Sequence, residues 1–264
     1  MLLLLLAVLF GSPPVLAAPE TVQLDELTWT EVRDALRSGA TTIIIPVGGT
    51  EQNGPHMALG KHNFRARALA ERIASKLGKT LVAPVVAYVP EGRISPPGGH
   101  MRFPGTISVP EDAFASILAG AARSLKQAGF LDIVLIGDSG NYQRILADVA
   151  QRLNREWAGS PARAHHISAY YRAATDEFEQ ALRARGLTQA QIGTHAGAAD
   201  TSLMLGVDPA RVRPDLMRAA PGPEPATGVS GEPSHSSAEL GRIGTDLIVE
   251  RTVQAIRDAT SHRR

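Results

Sequence analysis

The sequence predicts an α/β fold: a three-layer sandwich with a mostly parallel sheet and helices on both of its faces. The first observation behind this prediction is that apolar, β-branched runs alternate along the chain with segments of helical spacing. The second is that these runs are apolar throughout, as strands are when both faces of their sheet are covered. We find no internal repeat and no linker, so we expect residues 19–264 to form a single domain.

In the first half of the chain we expect helix 27–36, strand 41–47, helix 63–77, strand 80–88, a loop over 90–110 and helix 111–128. The first helix has a capping pattern, because Thr28 is followed three residues later by Glu31. Both strands are apolar runs, and Gly48 ends the first of them. The loop is rich in Gly and Pro and has no period.

In the second half we expect strand 131–136, helix 143–157, strand 163–168, helix 170–185, helix 199–205, a Pro- and Gly-rich stretch over 209–237 and helix 238–258. Ligands of such folds bind beyond the carboxyl ends of the strands. The loops that follow residues 47, 88 and 136 should therefore share one edge of the sheet, and they hold most of the unusual polar residues.

The first eighteen residues resemble a secretory signal rather than a part of the fold. Nine apolar residues, Leu2 to Phe10, are followed by Gly and Pro and then by small residues. The run is too short to span a bilayer, which takes about 20 residues. We expect a signal peptide over 1–18 with cleavage near Ala17 or Ala18, and a periplasmic or secreted protein. The alternative is a buried N-terminal strand or helix.

Composition excludes several classes of function. The chain has no Cys, which excludes disulfides, thiolate metal sites and a Cys nucleophile. The formal net charge of +1 and the aromatic content of 5% give no basis for nucleic-acid binding. We therefore expect no nucleic-acid partner and no membrane contact after signal cleavage, which leaves a small-molecule substrate open.

The densest group of reactive residues lies in the loop 48–63, which follows a predicted strand and leads into a helix. It contains Glu51, Asn53, His56 and His62. Carboxylate and imidazole groups are the usual protein ligands of Zn and Mn. The loop is therefore a candidate metal or active site; the alternative is a solvated loop in which Asn53 and His56 cap local backbone groups.

Five segments in order resemble motifs of the creatininase family, the creatinine amidohydrolase-like proteins. They are Gly-Gly-Thr-Glu-Gln-Asn-Gly-Pro-His at 48–56, His-Met-Arg-Phe-Pro-Gly-Thr at 100–106, Gly-Asp-Ser-Gly-Asn at 137–141, His-Ala-Gly-Ala-Ala-Asp-Thr-Ser at 195–202 and Gly-Val-Ser-Gly-Glu-Pro at 228–233. Five ordered matches between residues 40 and 245 are far more specific than any one of them. The resemblance implies an α/β fold, hydrolysis of amide or cyclic amide C–N bonds, a divalent metal site that is often binuclear, and a homohexamer.

The metal-ligand positions of this family are altered here. Glu51 matches the family's first ligand, but Asn53 stands where the resemblance implies His, and His62 stands where it implies a bridging Asp. Ser139 stands at a His position and Ala198 at a Glu position. A family-like pair of ions is therefore not expected, and we expect instead one divalent ion, Zn or Mn, held by Glu51, His62 and Asp138.

The remaining polar residues complete the predicted site. We expect His195 to donate a proton and Glu51 and His56 to share in catalysis. We expect the substrate to contact Asn53, His100, Ser139, Asn141 and Asp200. Lys61 is expected to be solvated.

Other interpretations stay open. Catalysis without metal would use Glu51, His56 and His195. A catalytically degenerate protein would serve as a periplasmic ligand-binding or assembly protein. Ser139 follows a strand-to-loop turn as a nucleophile would, but a Ser that satisfies turn amides is the simpler interpretation.

Overall fold

The computed structural model describes residues 21–218 and 224–261. The predicted signal peptide lies outside the described residues. Within these two ranges, no helix combines the length and the apolar character that crossing a membrane requires.

A four-stranded parallel sheet forms the centre of the fold. Its strands are β1 (Thr42–Val47), β2 (Thr80–Val82), β3 (Asp132–Gly137) and β4 (Arg163–His166). They lie in the order β2-β1-β3-β4, and each neighbouring pair is parallel. Ile43 pairs with Ile133 and Val47 with Gly137, so β1 and β3 end together at one edge of the sheet. The predicted α/β class is confirmed.

The helices match most of the predicted segments. They are α1 (Trp29–Arg37), α2 (Lys61–Leu77), α3 (Glu111–Ala128), α4 (Gln143–Glu156), α5 (Ala169–Arg172), α6 (Phe178–Arg183), α7 (Gln189–Ile192), α8 (Ala198–Val207), α9 (Pro214–Met217), α10 (Glu224–Thr227) and α11 (Ala238–Thr260). Thr28 forms the predicted capping box with Glu31. A π-helical stretch, Ala173–Glu177, joins α5 to α6.

Two differences from the prediction bear on the site. The strand expected over 80–88 ends at Val82, because Pro84 lacks the N–H that a further ladder bond would need; Val86 contacts β1 again through an isolated bridge to Val47. Helix α2 begins at Lys61 rather than at residue 63. This earlier start places Lys61 and His62 in the first helical turn.

Both faces of the sheet are covered, as a three-layer sandwich requires. Ile43 and Ile45 point to one face, where they pack with Leu118 of α3 and Leu146 of α4. Ile44 points to the other face. There the core contains α2, α8 and α11, with the buried residues Leu69, Ile73, Leu203, Ile248 and Val249. The layers thus fix α2 and α8 beside the carboxyl ends of the strands.

Candidate active site at the carboxyl edge of the sheet

A cavity of about 240 Å³ opens beyond the carboxyl ends of β1 and β3. Its wall is unusually rich in charged and imidazole groups, and these are Glu51, Lys61, His62, Arg65, His100, Asp138, His195 and Asp200. The predicted sharing of one sheet edge by the loops after β1 and β3 is therefore seen. Small-molecule sites are concave pockets with a few convergent polar groups, and this cavity is of that kind.

Glu51 lies at the centre of this cavity wall and is 2% exposed. Its Oε1 accepts a hydrogen bond from His62 Nε2 at 2.8 Å and lies 3.5 Å from Lys61 Nζ. Burial by itself would raise the pKa of Glu51, but His62 and Lys61 outweigh burial and hold that pKa well below its usual value. Glu51 is therefore an anion at neutral pH.

His62 lies between two carboxylates. Its Nδ1 is 2.6 Å from Asp138 Oδ2, and its Nε2 is 2.8 Å from Glu51 Oε1. Burial and Lys61 lower the pKa of His62, but Glu51 and Asp138 reverse that effect and raise it above its usual value. Each ring nitrogen faces a carboxylate oxygen, an arrangement that favours the doubly protonated ring.

The predicted metal triad of Glu51, His62 and Asp138 is thus brought together, but as a hydrogen-bonded chain. Arg65 strengthens it, because Arg65 Nε and Nη2 donate to Asp138 Oδ2 at 2.8 and 2.6 Å. A ring nitrogen that donates a hydrogen bond has no lone pair for a metal ion. Metal binding by this triad stays a prediction, and the geometry does not favour it.

A third carboxylate, Asp200, lies on α8 across from α2. Lys61 Nζ donates to its Oδ2 at 2.7 Å, and Arg65 Nη1 donates to its Oδ1 at 2.8 Å. Burial raises the pKa of Asp200, but Lys61 and Arg65 more than offset this and keep the carboxyl ionised. Lys61 is 1% exposed, so the expectation of a solvated Lys61 is wrong.

A different group has the geometry of a metal site: Glu51, His100 and His195. One ligand atom of each lies within 4.8 Å of the others. His100 Nε2 is 3.4 Å from Glu51 Oε2, and His195 Nδ1 is 3.8 Å from Glu51 Oε1. One carboxylate and two imidazoles form a donor set that suits Zn or Mn.

The surroundings of His195 suit a metal ligand. Its Nε2 donates to the backbone oxygen of Gln52 at 2.9 Å, which leaves the lone pair of Nδ1 facing Glu51. A metal-bound His commonly donates its other nitrogen to a carbonyl in this way. Burial and the nearby Lys61 lower the pKa of His195 to about 3, so the ring is neutral at neutral pH. Glu51 and His195 therefore fit a single divalent ion, and His100 can join them when its proton moves from Nε2 to Nδ1, which now accepts from Gln52 Nε2.

Three further predicted residues also line the cavity: Ser139, Asn141 and Asp200. Ser139 Oγ accepts from the backbone N of Asn141, which is a turn-stabilising contact. Asn141 Nδ2 donates to Glu91 Oε2 at 3.0 Å. The predicted contacts of these residues with a substrate stay predictions.

Asn53 and His56 lie behind the cavity wall. Asn53 is fully buried and donates through Nδ2 to the backbone oxygens of Glu51 and Ala58, which holds the loop closed. His56 is fully buried, and its Nε2 lies 2.9 Å from Thr201 Oγ1. Burial lowers the pKa of His56 to about 4. The structure thus places both residues in the loop framework and outside the cavity lining, although their predicted roles are not tested by it.

Sequence reasoning missed Arg65 and Glu91. The helical spacing did indicate that Arg65 is buried. His62 lies four residues before Ala66, and Arg65 lies four residues before Leu69, so both side chains lie on the buried face of α2. Charged residues on the apolar side of a helix indicate buried polar contacts. Glu91 follows the second strand in a loop without a pattern; burial and the charge of Glu51 raise its pKa to about 8.

The fold and the site together define a parallel α/β protein with carboxylates and imidazoles converging at the carboxyl edge of its sheet. The chain belongs to the creatininase family, because the family model, described as creatinine amidohydrolase, matches residues 25–256. The resemblance inferred from the five motifs is confirmed.

Known relatives include enzymes that act on amide bonds. The chain is 29% identical over 260 residues to creatinine amidohydrolase of Pseudomonas putida, a match that covers 91% of this chain and 96% of the relative. It is 28% identical over 253 residues to a mycofactocin precursor peptide peptidase of Mycobacterium tuberculosis (strain H37Rv), covering 84% and 86% of the two chains. The chain is therefore a member of a hydrolase family.

Solved structures agree with the fold. A crystal structure of creatinine amidohydrolase (creatininase) superposes with a TM-score of 0.76 at 25% identity, over 91% of this chain and 98% of that one. A structure described as "Creatininase Mn" has a TM-score of 0.74 at 26% identity, over 91% and 99%. Another creatininase structure is described as of "Zn-Zn type".

Proposed function

We propose that this protein hydrolyses the C–N bond of a small amide or cyclic amide and uses one divalent ion, Zn or Mn. The observation that carries the proposal is the group Glu51, His100 and His195, which faces the cavity with one carboxylate and two imidazoles. A bound divalent ion would supply Lewis-acid polarisation and a lowered pKa of water.

The residues around this group hold it in position. His62 fixes Glu51 Oε1, so that Oε2 faces His100. The Gln52 side chain donates to His100 Nδ1 at 2.9 Å, and the Gln52 backbone orients His195. Because His100 Nδ1 accepts from Gln52, the proton of the neutral ring is on Nε2, and an ion at Nε2 requires that proton to move and the Gln52 amide to turn.

The size of the cavity supports a small substrate. Its volume of about 240 Å³ lies below the range of about 300–1,000 Å³ that is usual for drug-sized ligands. Cyclic amides and short N-substituted amides are the substrates that fit this volume. The P. putida relative, described as creatinine amidohydrolase, makes creatinine one member of the class.

An amide screen tests the proposal. Protein purified without chelator is assayed on cyclic and N-substituted amides with and without added Mn or Zn, with Glu51→Gln as the inactive variant. The exposed His235, which bonds to Gln191 outside the cavity, offers a matched control as His235→Ala. Ion-dependent hydrolysis that Glu51→Gln abolishes and His235→Ala keeps supports the proposal; no hydrolysis of any amide with ion bound would contradict it.

A second candidate is a binding or assembly protein without turnover. The pairing of Glu51, Asp138 and Asp200 with cationic side chains favours it, because such a site is already neutralised. Ligand-induced thermal stabilisation without hydrolysis would support this function.

We further propose export through residues 1–18 to the periplasm or medium, and assembly as a homohexamer. The apolar run Leu2–Phe10 supports the first proposal, and membership of the creatininase family is the basis of the second. N-terminal sequencing of the exported protein and light scattering of the purified protein test the two separately.

A further inference from the structure

We propose that Lys61 is a built-in cation of the site, which neutralises Glu51 and Asp200 and thereby restricts the cavity to one divalent ion. This inference deepens the proposed function and rests on its single-ion site. It concerns how many ions the cavity accepts, which is measured independently of any reaction.

The position of Lys61 carries the inference. It is the first residue of α2, it lines the cavity, and only 1% of its side chain is exposed. Its Nζ lies 2.7 Å from Asp200 Oδ2 and 3.5 Å from Glu51 Oε1. Lys61 thus lies between a carboxylate of the loop after β1 and a carboxylate of α8, and it contacts both.

The oxygens of the two aspartates are also occupied by donors. Asp138 Oδ2 accepts from His62 and Arg65, and Asp138 Oδ1 accepts from Tyr170 Oη at 2.7 Å. Asp200 Oδ1 accepts from Arg65. Three donors lie on Asp138 Oδ2 and two on Asp200 Oδ2, so an ion at either Oδ2 would cost a buried donor its partner.

One carboxylate oxygen of Glu51 faces the candidate metal ligands His100 and His195. Glu51 Oε2 faces His100 Nε2, while Glu51 Oε1 is taken by His62 and faces Lys61. A divalent ion at Oε2 can bind His195 Nδ1, and also His100 Nε2 when the ring proton of His100 moves to Nδ1. Lys61 Nζ lies 3.5 Å from Oε1, so a second ion at Oε1 would lie beside the Lys61 ammonium. Two neighbouring buried cations repel each other strongly.

The test compares Lys61→Met with the wild type. Metal per chain is measured by mass spectrometry after equilibration with Mn, and the Tm is measured in chelator. Lys61→Met is expected to bind one more ion per chain than the wild type, because Glu51 and Asp200 lose their shared cation. Its metal-free Tm is expected to fall by about 5 °C, because Glu51 and Asp200 each lose one cationic partner while His62 and Arg65 remain.

Two further variants make the readout specific. Lys76→Met, an exposed lysine of the same helix, should keep both the ion count and the Tm of the wild type. The double variant Lys61→Met with Asp200→Asn removes one cation and one anion together. It should lose the extra ion and regain most of the lost Tm.

The outcomes separate this inference from the proposed function. If Lys61→Met binds no more Mn than the wild type, or if the wild type itself binds two ions, the inference is overturned. If Lys61→Met fails to fold, the double variant is still expected to fold, because its charge balance is restored. If neither variant folds, the inference is overturned. Failure of the amide screen would contradict the proposed function and leave these ion counts unchanged.

Discussion

His62 Nδ1 lies 2.6 Å from Asp138 Oδ2, and neither side chain is appreciably exposed. The contact joins the first turn of α2 to the carboxyl end of β3. Arg65 donates to the same Asp138 oxygen, so one carboxylate holds two buried donors. The sequence suggests that His62 and Asp138 are metal ligands. In the structure they bond to each other, and His62 supports Glu51.

Replacing Asp138 should cost much stability. Asp138→Ala leaves His62 and Arg65 buried without their partner, and breaking a buried pair in this way costs about 3–5 kcal/mol. Urea unfolding in chelator measures the change. Glu156→Ala, which breaks the exposed pair with Arg123, is the control and should cost far less than Asp138→Ala. Equal costs for the two variants would contradict the framework role of Asp138.

His56 should make the protein less stable at mildly acid pH. Burial and then Lys61 lower the pKa of His56 in the fold to about 4, below its ordinary value of 6.5. Below pH 6.5 His56 binds a proton in the unfolded chain, whereas in the folded chain His56 stays neutral until about pH 4. The free energy of unfolding therefore falls as the pH drops through this window.

The two pKa values alone give a loss of about 2 kcal/mol, and solvent screening reduces the expected loss to about 1 kcal/mol. It is measured as the difference between unfolding at pH 7.5 and pH 5 in chelator. His56→Gln lacks the titrating ring, so the same pH change should cost it less than it costs the wild type. Identical pH dependence in both proteins would show that His56 does not titrate as inferred.

The ligand group should be identified by single substitutions. His100→Ala and His195→Ala are each expected to weaken Mn or Zn binding by at least about tenfold, because each removes a ligand nitrogen. Equilibrium dialysis measures the affinity, and His235→Ala is the control. If His100→Ala binds metal as the wild type does while His62→Ala does not, the ions use the set predicted from sequence instead.

Gly241 should resist substitution, because α8 and α11 cross there. A Cβ at Gly241 would overlap the backbone oxygen of Ser202. Gly241→Ala must push the helices apart and should cost about 1–3 kcal/mol, read as a lower Tm. A methyl group at Gly120 of α3 would meet open space, so Gly120→Ala should be neutral or stabilising by up to about 1 kcal/mol. A loss at Gly120 equal to that at Gly241 would argue against the close crossing.

The fold class and the family could both be predicted from the amino-acid sequence. The apolar run 41–47 and the glycine that follows it at Gly48 predict a strand from local sequence alone. The structure confirms a parallel strand there. The motif segments also mark the loops that form the cavity, since loops after parallel strands meet at one edge of the sheet.

The roles of individual charged residues were decided by the tertiary structure alone. Arg65 meets Asp138 across 73 positions of sequence, and Lys61 meets Asp200 across 139. No local pattern encodes such pairs, because each depends on how α2 and α8 pack around the strand ends. The sequence determined which ligand types were present; only the fold decided that His62 is saturated by two carboxylates while His100 and His195 face Glu51 across the cavity.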